Sequence, residues 1–159
     1  MTPHADMLKV AKTLAARPIG EWLNYSASVD NDRLLHRLGF DERHIGNPAI
    51  RALHGGVVAT FFEFAAQVEL AAARKMAGLS RIVTNAVDYM APTKAADMFA
   101  SVTIDRVTRR VAFVELVGWQ DDAAKPVAVA RLCLRLPTAQ KQIARALAPS
   151  PADTYLPAP

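Results

Sequence analysis

One cysteine, Cys133, stands in the 159 residues, so an intrachain disulfide is excluded and a reducing cytoplasm is the simplest compartment. No run of about 18 uncharged apolar residues occurs, because even the most apolar segment is interrupted by Glu63, Glu69, Arg74 and Lys75, and no membrane span is expected. The chain begins Met-Thr-Pro-His-Ala-Asp, without a basic segment followed by an apolar one, so no secretion leader is expected. The formal net charge is +4, yet the longest basic run is the pair Arg109-Arg110 and no aromatic residues are interleaved with it. That pattern speaks against a nucleic-acid surface, which needs clustered cations and stacking rings. No metal or cofactor is expected either. What is present is an ordinary globular composition, 52% hydrophobic and 21% charged, at a length that fits one domain with one core.

Apolar positions at Met7, Val10, Ala11 and Leu14 predict an amphipathic helix over 4–16, ended by Pro18 and packed as a cover on the domain. Residues 1–19 form this N-terminal piece, 20–136 the main domain and 137–159 a C-terminal extension. Two short strands, 20–29 and 33–40, are expected around the turn Asp30-Asn31-Asp32, followed by a loop at Gly46-Asn47-Pro48. A long helix is predicted from Gly56 to Ala77, stopped by Gly78. Four strands follow, at 81–90, 97–107, 110–120 and 126–136, with separators short enough to make neighbours antiparallel. The fold class is therefore α+β. Val111, Phe113, Val117 and Trp119 alternate with Ala112, Val114 and Leu116, so the sheet is apolar on both faces and asks for two covers: the long helix and a second subunit. Residues 138–148 read as a short last helix before a proline- and alanine-rich tail.

The start of the long helix carries the chemistry. Gly55 and Gly56 leave backbone N–H groups bare where the helix dipole adds partial positive charge, a place that can hold an oxygen anion. Gly56, Thr60, Glu63 and Gln67 are spaced 4, 3 and 4, one stripe on a helix that is otherwise small or apolar. A carboxylate kept from water is a stronger base. An oxyanion site and a base on one helix suggest acyl transfer with water as acceptor. Glu63 pointing to bulk water is the alternative, as Glu is seldom buried unpaired.

One long helix followed by an antiparallel meander, with His54-Gly55-Gly56 at the helix start, resembles the hotdog fold. Gly46-Asn47-Pro48, Leu53 to Thr60, Glu63, Val87 to Pro92 and Val117-Gly118-Trp119-Gln120 are similar to the PaaI-like acyl-CoA thioesterases, the likeness covering about residues 20–136. The resemblance implies a long central helix wrapped by the sheet and hydrolysis of acyl-CoA at sites built across a homodimer, in a dimer or in a tetramer made as a dimer of dimers. It implies that the Gly55 N–H, and that of Gly56, polarise the thioester carbonyl. Glu63 reaches across from the other subunit as general base or nucleophile, and His54 and Asn47 line the pocket. Structural readings stay open: His54 fixes the loop, and Asn47 is a turn residue before Pro48. Relatives often carry Asp at the Glu63 position and a Ser or Thr on the next strand that orients the water; here Thr84 is the nearest candidate, since Ile82 is inert. Arg51, Lys94, Arg109 and Arg110 are candidates for the anionic CoA tail. Two competitors stay open, a hydratase or dehydratase of the same fold and a non-catalytic acyl-CoA-binding protein. The first uses an Asp and His dyad in the loop where this chain has residues 46–51, which hold neither.

Overall fold

A computed structural model of the protein describes residues 3–76 and 78–137. The order is α1 (Pro3–Ala15), α2 (Pro18–Trp22), β1 (Tyr25–Asp30), β2 (Arg33–Leu38), a 3-10 turn (Glu42–His44), β3 (Ile45–Asn47), β4 (Ala52–Leu53), α3 (Gly55–Arg74), β5 (Arg81–Tyr89), β6 (Met98–Val107), β7 (Val111–Trp119) and β8 (Ala128–Arg135). Six strands form one sheet in the order β1-β2-β6-β7-β8-β5, every pair antiparallel, and β3 and β4 form a separate two-stranded ribbon. This is the long helix on an antiparallel sheet that the resemblance implied. Because β5 pairs only with β8, it forms an edge of the sheet among the described residues. The expected helix at 138–148, with the C-terminal tail, lies outside the described residues.

Twelve of the twenty residues of α3 are buried, among them Phe61, Phe62 and Phe64 at 0–2% exposure, so this helix is the centre of the core. Truncating any of the three to alanine is expected to cost about 3–5 kcal/mol. By length and apolarity alone α3 passes for a membrane-crossing helix, but its apolar residues are covered by the chain's own sheet. Phe62 packs straight onto the backbone of β7 at Gly118, where a Cβ would lie 2.6 Å from the ring, which explains a glycine inside a central strand. From α1, Ala11 and Leu14 enter the same core, as the cover helix was expected to do.

Several boundaries differ from the sequence reading. Residues 18–22 are helical, because Pro18 both ends α1 and opens a second helix after the extended Arg17; β1 begins only at Tyr25. Asn31 and Asp32 take φ of 46° and 65°, the paired left-handed turn that matches the twist of a β1-β2 hairpin. α3 stops at Arg74, short of Gly78. Lys75 adopts the left-handed conformation (φ 50°), and Met76, buried in the core, donates its N–H to the Ala71 carbonyl at 2.9 Å. Burial of Met76 sets this end of the helix in place of the glycine. The outer face of the sheet is less apolar than the alternation implied: Phe113 is exposed and Trp119 stacks on Phe99, but an Arg131–Glu115 ion pair separates them.

On the flank of α3 away from β5 lies a closed polar chain. Tyr25 Oη is 2.7 Å from His36 Nδ1, and His36 Nε2 is 3.2 Å from Glu69 Oε2, with His36 fully buried. Burial, and secondarily the charge of Glu69, push the Tyr25 phenol far above its ordinary 10. It therefore stays protonated and donates to Nδ1, while Nε2–H donates to the carboxylate, leaving the imidazole no unmet nitrogen. At the helix start, His54 is the N-cap: its Nδ1 accepts from the Gly56 N–H at 2.9 Å.

Two outcomes follow. A phenol held protonated in the fold stabilises it fully below the ordinary phenol value of 10 and loses that contribution as pH rises above it. Urea unfolding across about pH 9 to 11 should show stability falling, and the fall should be smaller in Tyr25→Phe; an identical slope would contradict the burial assigned to this group. His54→Ala should lower stability by about 1 kcal/mol and His54→Asn should restore most of it, because Asn caps a helix as well. Equal stability of all three would remove the cap.

Candidate functional site

At the start of α3 two loops enclose a cleft of about 370 Å³. Ile50, Ala52 and Leu53 form one wall, Tyr89 to Thr93 the other, and Gly55 and Val58 the floor. Thr93 Oγ1 joins the walls by accepting the Leu53 N–H at 3.0 Å. The lining is mostly apolar, and Ile50, Tyr89 and Met90 are more than half exposed at its rim, which suits an apolar ligand. Tyr89 lies over Gly55 and donates its hydroxyl to the Gly55 carbonyl at 2.6 Å; partial burial pushes its phenol upward, which keeps that donor. Gly46 lets this corner close, because a Cβ there would meet His54 Cα at 2.5 Å.

The two glycine amides differ. Gly55 N–H, the first of the helix, has no hydrogen-bond partner among the described residues, and Tyr89 and the cleft stand beside it. Gly56 N–H is taken by His54 Nδ1, so the expectation that Gly56 also serves as an oxyanion donor is corrected: the cap uses it. His54 is thereby tied to the loop, as its structural reading had it. Asn47 Oδ1 accepts the Ala49 N–H at 3.0 Å, the side-chain turn of its structural reading.

Glu63 lies on the stripe expected for it. The half-buried or exposed positions of α3 before its last turn are Gly55, Gly56, Ala59, Thr60, Glu63 and Gln67. Thr60 Oγ1 bonds back to the Gly56 carbonyl, Glu63 Oε1 accepts from Asn85 Nδ2 at 2.9 Å, and Gln67 Nε2 donates to the Ser80 carbonyl. The stripe thus runs beside β5, which pairs on one side only among the described residues. Glu63 stands eight positions after Gly55 on the helix, about 12 Å along the axis, so one chain does not bring its own bare amide and carboxylate to the same carbonyl.

The remaining candidates are dispersed. Thr84 is exposed, and Asn85 next to it is the residue that turns toward Glu63. A bulge between Ile82 and Thr84 shifts the alternation by one, so Ile82 and Asn85 share the inner face and Thr84 leaves it. Neither Asn85 nor the bulge was read from the sequence, since an extra residue in a strand leaves no mark on an alternating pattern. Arg51 sits by the cleft with φ 51° and bonds Glu42 at 2.5 Å; Lys94, after Thr93, pairs with Asp121. Arg109 and Arg110 lie in the β6-β7 turn, at the end of the sheet opposite Gly55 in the same protomer.

Residues 51–127 match the family model described as the thioesterase superfamily. Among solved structures, a protein from Chromobacterium violaceum is 32% identical at a TM-score of 0.66, the match covering 87% of this chain and 99% of that one. A thioesterase from Haemophilus influenzae (TM-score 0.70, 17% identity, 80% and 88% covered) and a phenylacetic acid degradation-related protein from Ralstonia eutropha (0.67, 17%, 80% and 98%) share the fold. No curated protein matches the chain. With the family match spanning most of the cleft, α3 and three of the six strands of the sheet, and with that identity over nearly all of a relative, the chain belongs to the thioesterase superfamily and has its hotdog fold.

Proposed function

We propose that this protein hydrolyses acyl-CoA thioesters to the free acid and CoA, as a PaaI-like member of the superfamily, at sites each shared between two subunits. The observation that carries the reading is the placing of Glu63: half-buried on the flank of α3 beside the edge strand β5, on the helix whose first amide stands bare at an apolar cleft. The 12 Å or so between the two groups is an obstacle within one chain. It disappears when a second copy lies antiparallel along that edge, with the Gly55 amide of one protomer facing Glu63 of the other.

A thiolate leaves readily near neutral pH, so a base and an oxyanion donor suffice without a nucleophilic triad. Glu63 takes the proton of an attacking water, and Gly55 N–H holds the charge that develops on the carbonyl oxygen. The first effect contributes about 10² to 10⁴ in rate and the second about 10² to 10³. The cleft takes the acyl or pantetheine portion. Arg51 and Lys94 flank it, and their ion pairs are exposed, weak and readily exchanged for phosphate. In an antiparallel pair the partner's far end comes to this same side, and with it a second Arg109 and Arg110.

Purified protein should release thiol from at least one member of an acyl-CoA panel and should run as a dimer or tetramer by light scattering. Glu63→Gln keeps an acceptor for Asn85 and so the fold, but should lose about 10²-fold or more in kcat. Turnover equal to the parent would contradict the base, a clean monomer would contradict the shared site, and binding without turnover across the panel would make the protein an acyl-CoA binder.

A further inference from the structure

Asn85 stands on β5 with its side chain half-buried against α3, its Nδ2 donating to Glu63 Oε1 at 2.9 Å. A carboxylate only accepts, so chemistry fixes the amide: nitrogen toward Glu63, oxygen away from it. That oxygen, Oδ1, is buried and has no hydrogen-bond partner among the described residues. A buried acceptor without a donor is unfavourable and rare, and this one belongs to the residue that holds the proposed base. No Lys, Arg or His among the described residues forms an ion pair with Glu63, so Asn85 is the group that orients it.

Resting on the thioesterase reading above, we propose that Asn85 and Glu63 together hold the attacking water, with Asn85 Oδ1 accepting one of its O–H bonds and Glu63 Oε2 the other. The Nδ2–H bond to Oε1 fixes the plane of the carboxylate and leaves Oε2 for the water. As the water oxygen bonds to the thioester carbon, its proton passes to Glu63 and the carbonyl electron pair moves onto oxygen, at the Gly55 amide. When the carbonyl re-forms, the C–S bond breaks, the electron pair leaves on sulfur, and the proton held by Glu63 neutralises the thiolate. Acid and thiol are the products, and the carboxylate is regenerated. Asn85 thus does the work first expected of Thr84, from the neighbouring position that the bulge turns inward.

The test uses the full chain and an acyl-CoA that the parent protein turns over. Asn85→Ala should lower kcat about 10- to 100-fold with KM nearly unchanged. Added to Glu63→Gln, the same change should cost little more, since the two residues act on one water. Asn85→Asp, nearly isosteric, sets a second carboxylate against Glu63, so the rising limb of the pH–kcat profile should move to higher pH by about one unit. That shift checks that the two side chains touch in solution, and the loss of kcat at unchanged KM in Asn85→Ala checks the hold on the water. If Asn85→Ala keeps kcat within about twofold, or the limb of Asn85→Asp stays in place, while Glu63→Gln is inactive, the assignment of Asn85 is overturned and the base stands. If Glu63→Gln is itself fully active, the thioesterase reading fails first. Should Asn85→Ala not fold, Asn85→Ser takes its place under the same kcat criterion.

Discussion

Burial of α3 under its own sheet is the constraint on which the rest depends. With Phe61, Phe62 and Phe64 locked between strands and α1, the helix is a rigid rod whose register cannot slide without opening the core. Everything attached to it is held at fixed spacing. The bare amide at one end and the carboxylate eight residues on are separated by a distance that no side-chain rotation closes. Rigidity that would defeat a one-chain active site becomes useful when two rods lie antiparallel, because each then presents the group that the other holds out of its own reach.

Two polar networks cross the interior, one on each side of α3, and they differ in completeness. Tyr25, His36 and Glu69 form a closed chain in which both ring nitrogens and the phenol are satisfied, so that chain is explained by folding alone. Glu63 and Asn85 form an open one that ends in a buried acceptor with no donor among the described residues. The open network lies beside β5, the strand that pairs on one side only among the described residues. Burial alone does not separate these networks; the unmet valence does.

The core was legible in the sequence wherever a period was long enough to count. The stripe Gly56, Thr60, Glu63, Gln67 lies where the 3.6-residue repeat puts it, and the hairpin turn and the last four strands fall within a few residues of their expected positions. The misses occur where one local event breaks a period. Pro18 opens a short helix that runs into what read as a strand, Met76 ends α3 by dropping into the core ahead of Gly78, and one extra residue in β5 turns Asn85 inward instead of Thr84. Within the site, Glu63 and Gly55 could be named from residue type and spacing. That the Gly56 amide belongs to His54 could not, because Nδ1 reaches it only through a particular backbone conformation at the cap.

The central claim, that each site takes its base from one subunit and its oxyanion donor from another, is tested most directly by mixing two inactive proteins. Gly55→Pro deletes the amide at the first helical position, where proline is well accepted, and the extended backbone of His54 before it is already what a proline requires. Combined with Glu63→Gln subunits by co-expression under two affinity tags, it yields hetero-pairs with one intact and one doubly impaired site. The account predicts recovery to about a quarter of parental activity for random pairing. Hetero-pairs isolated through both tags and as inactive as either parent mutant would contradict it.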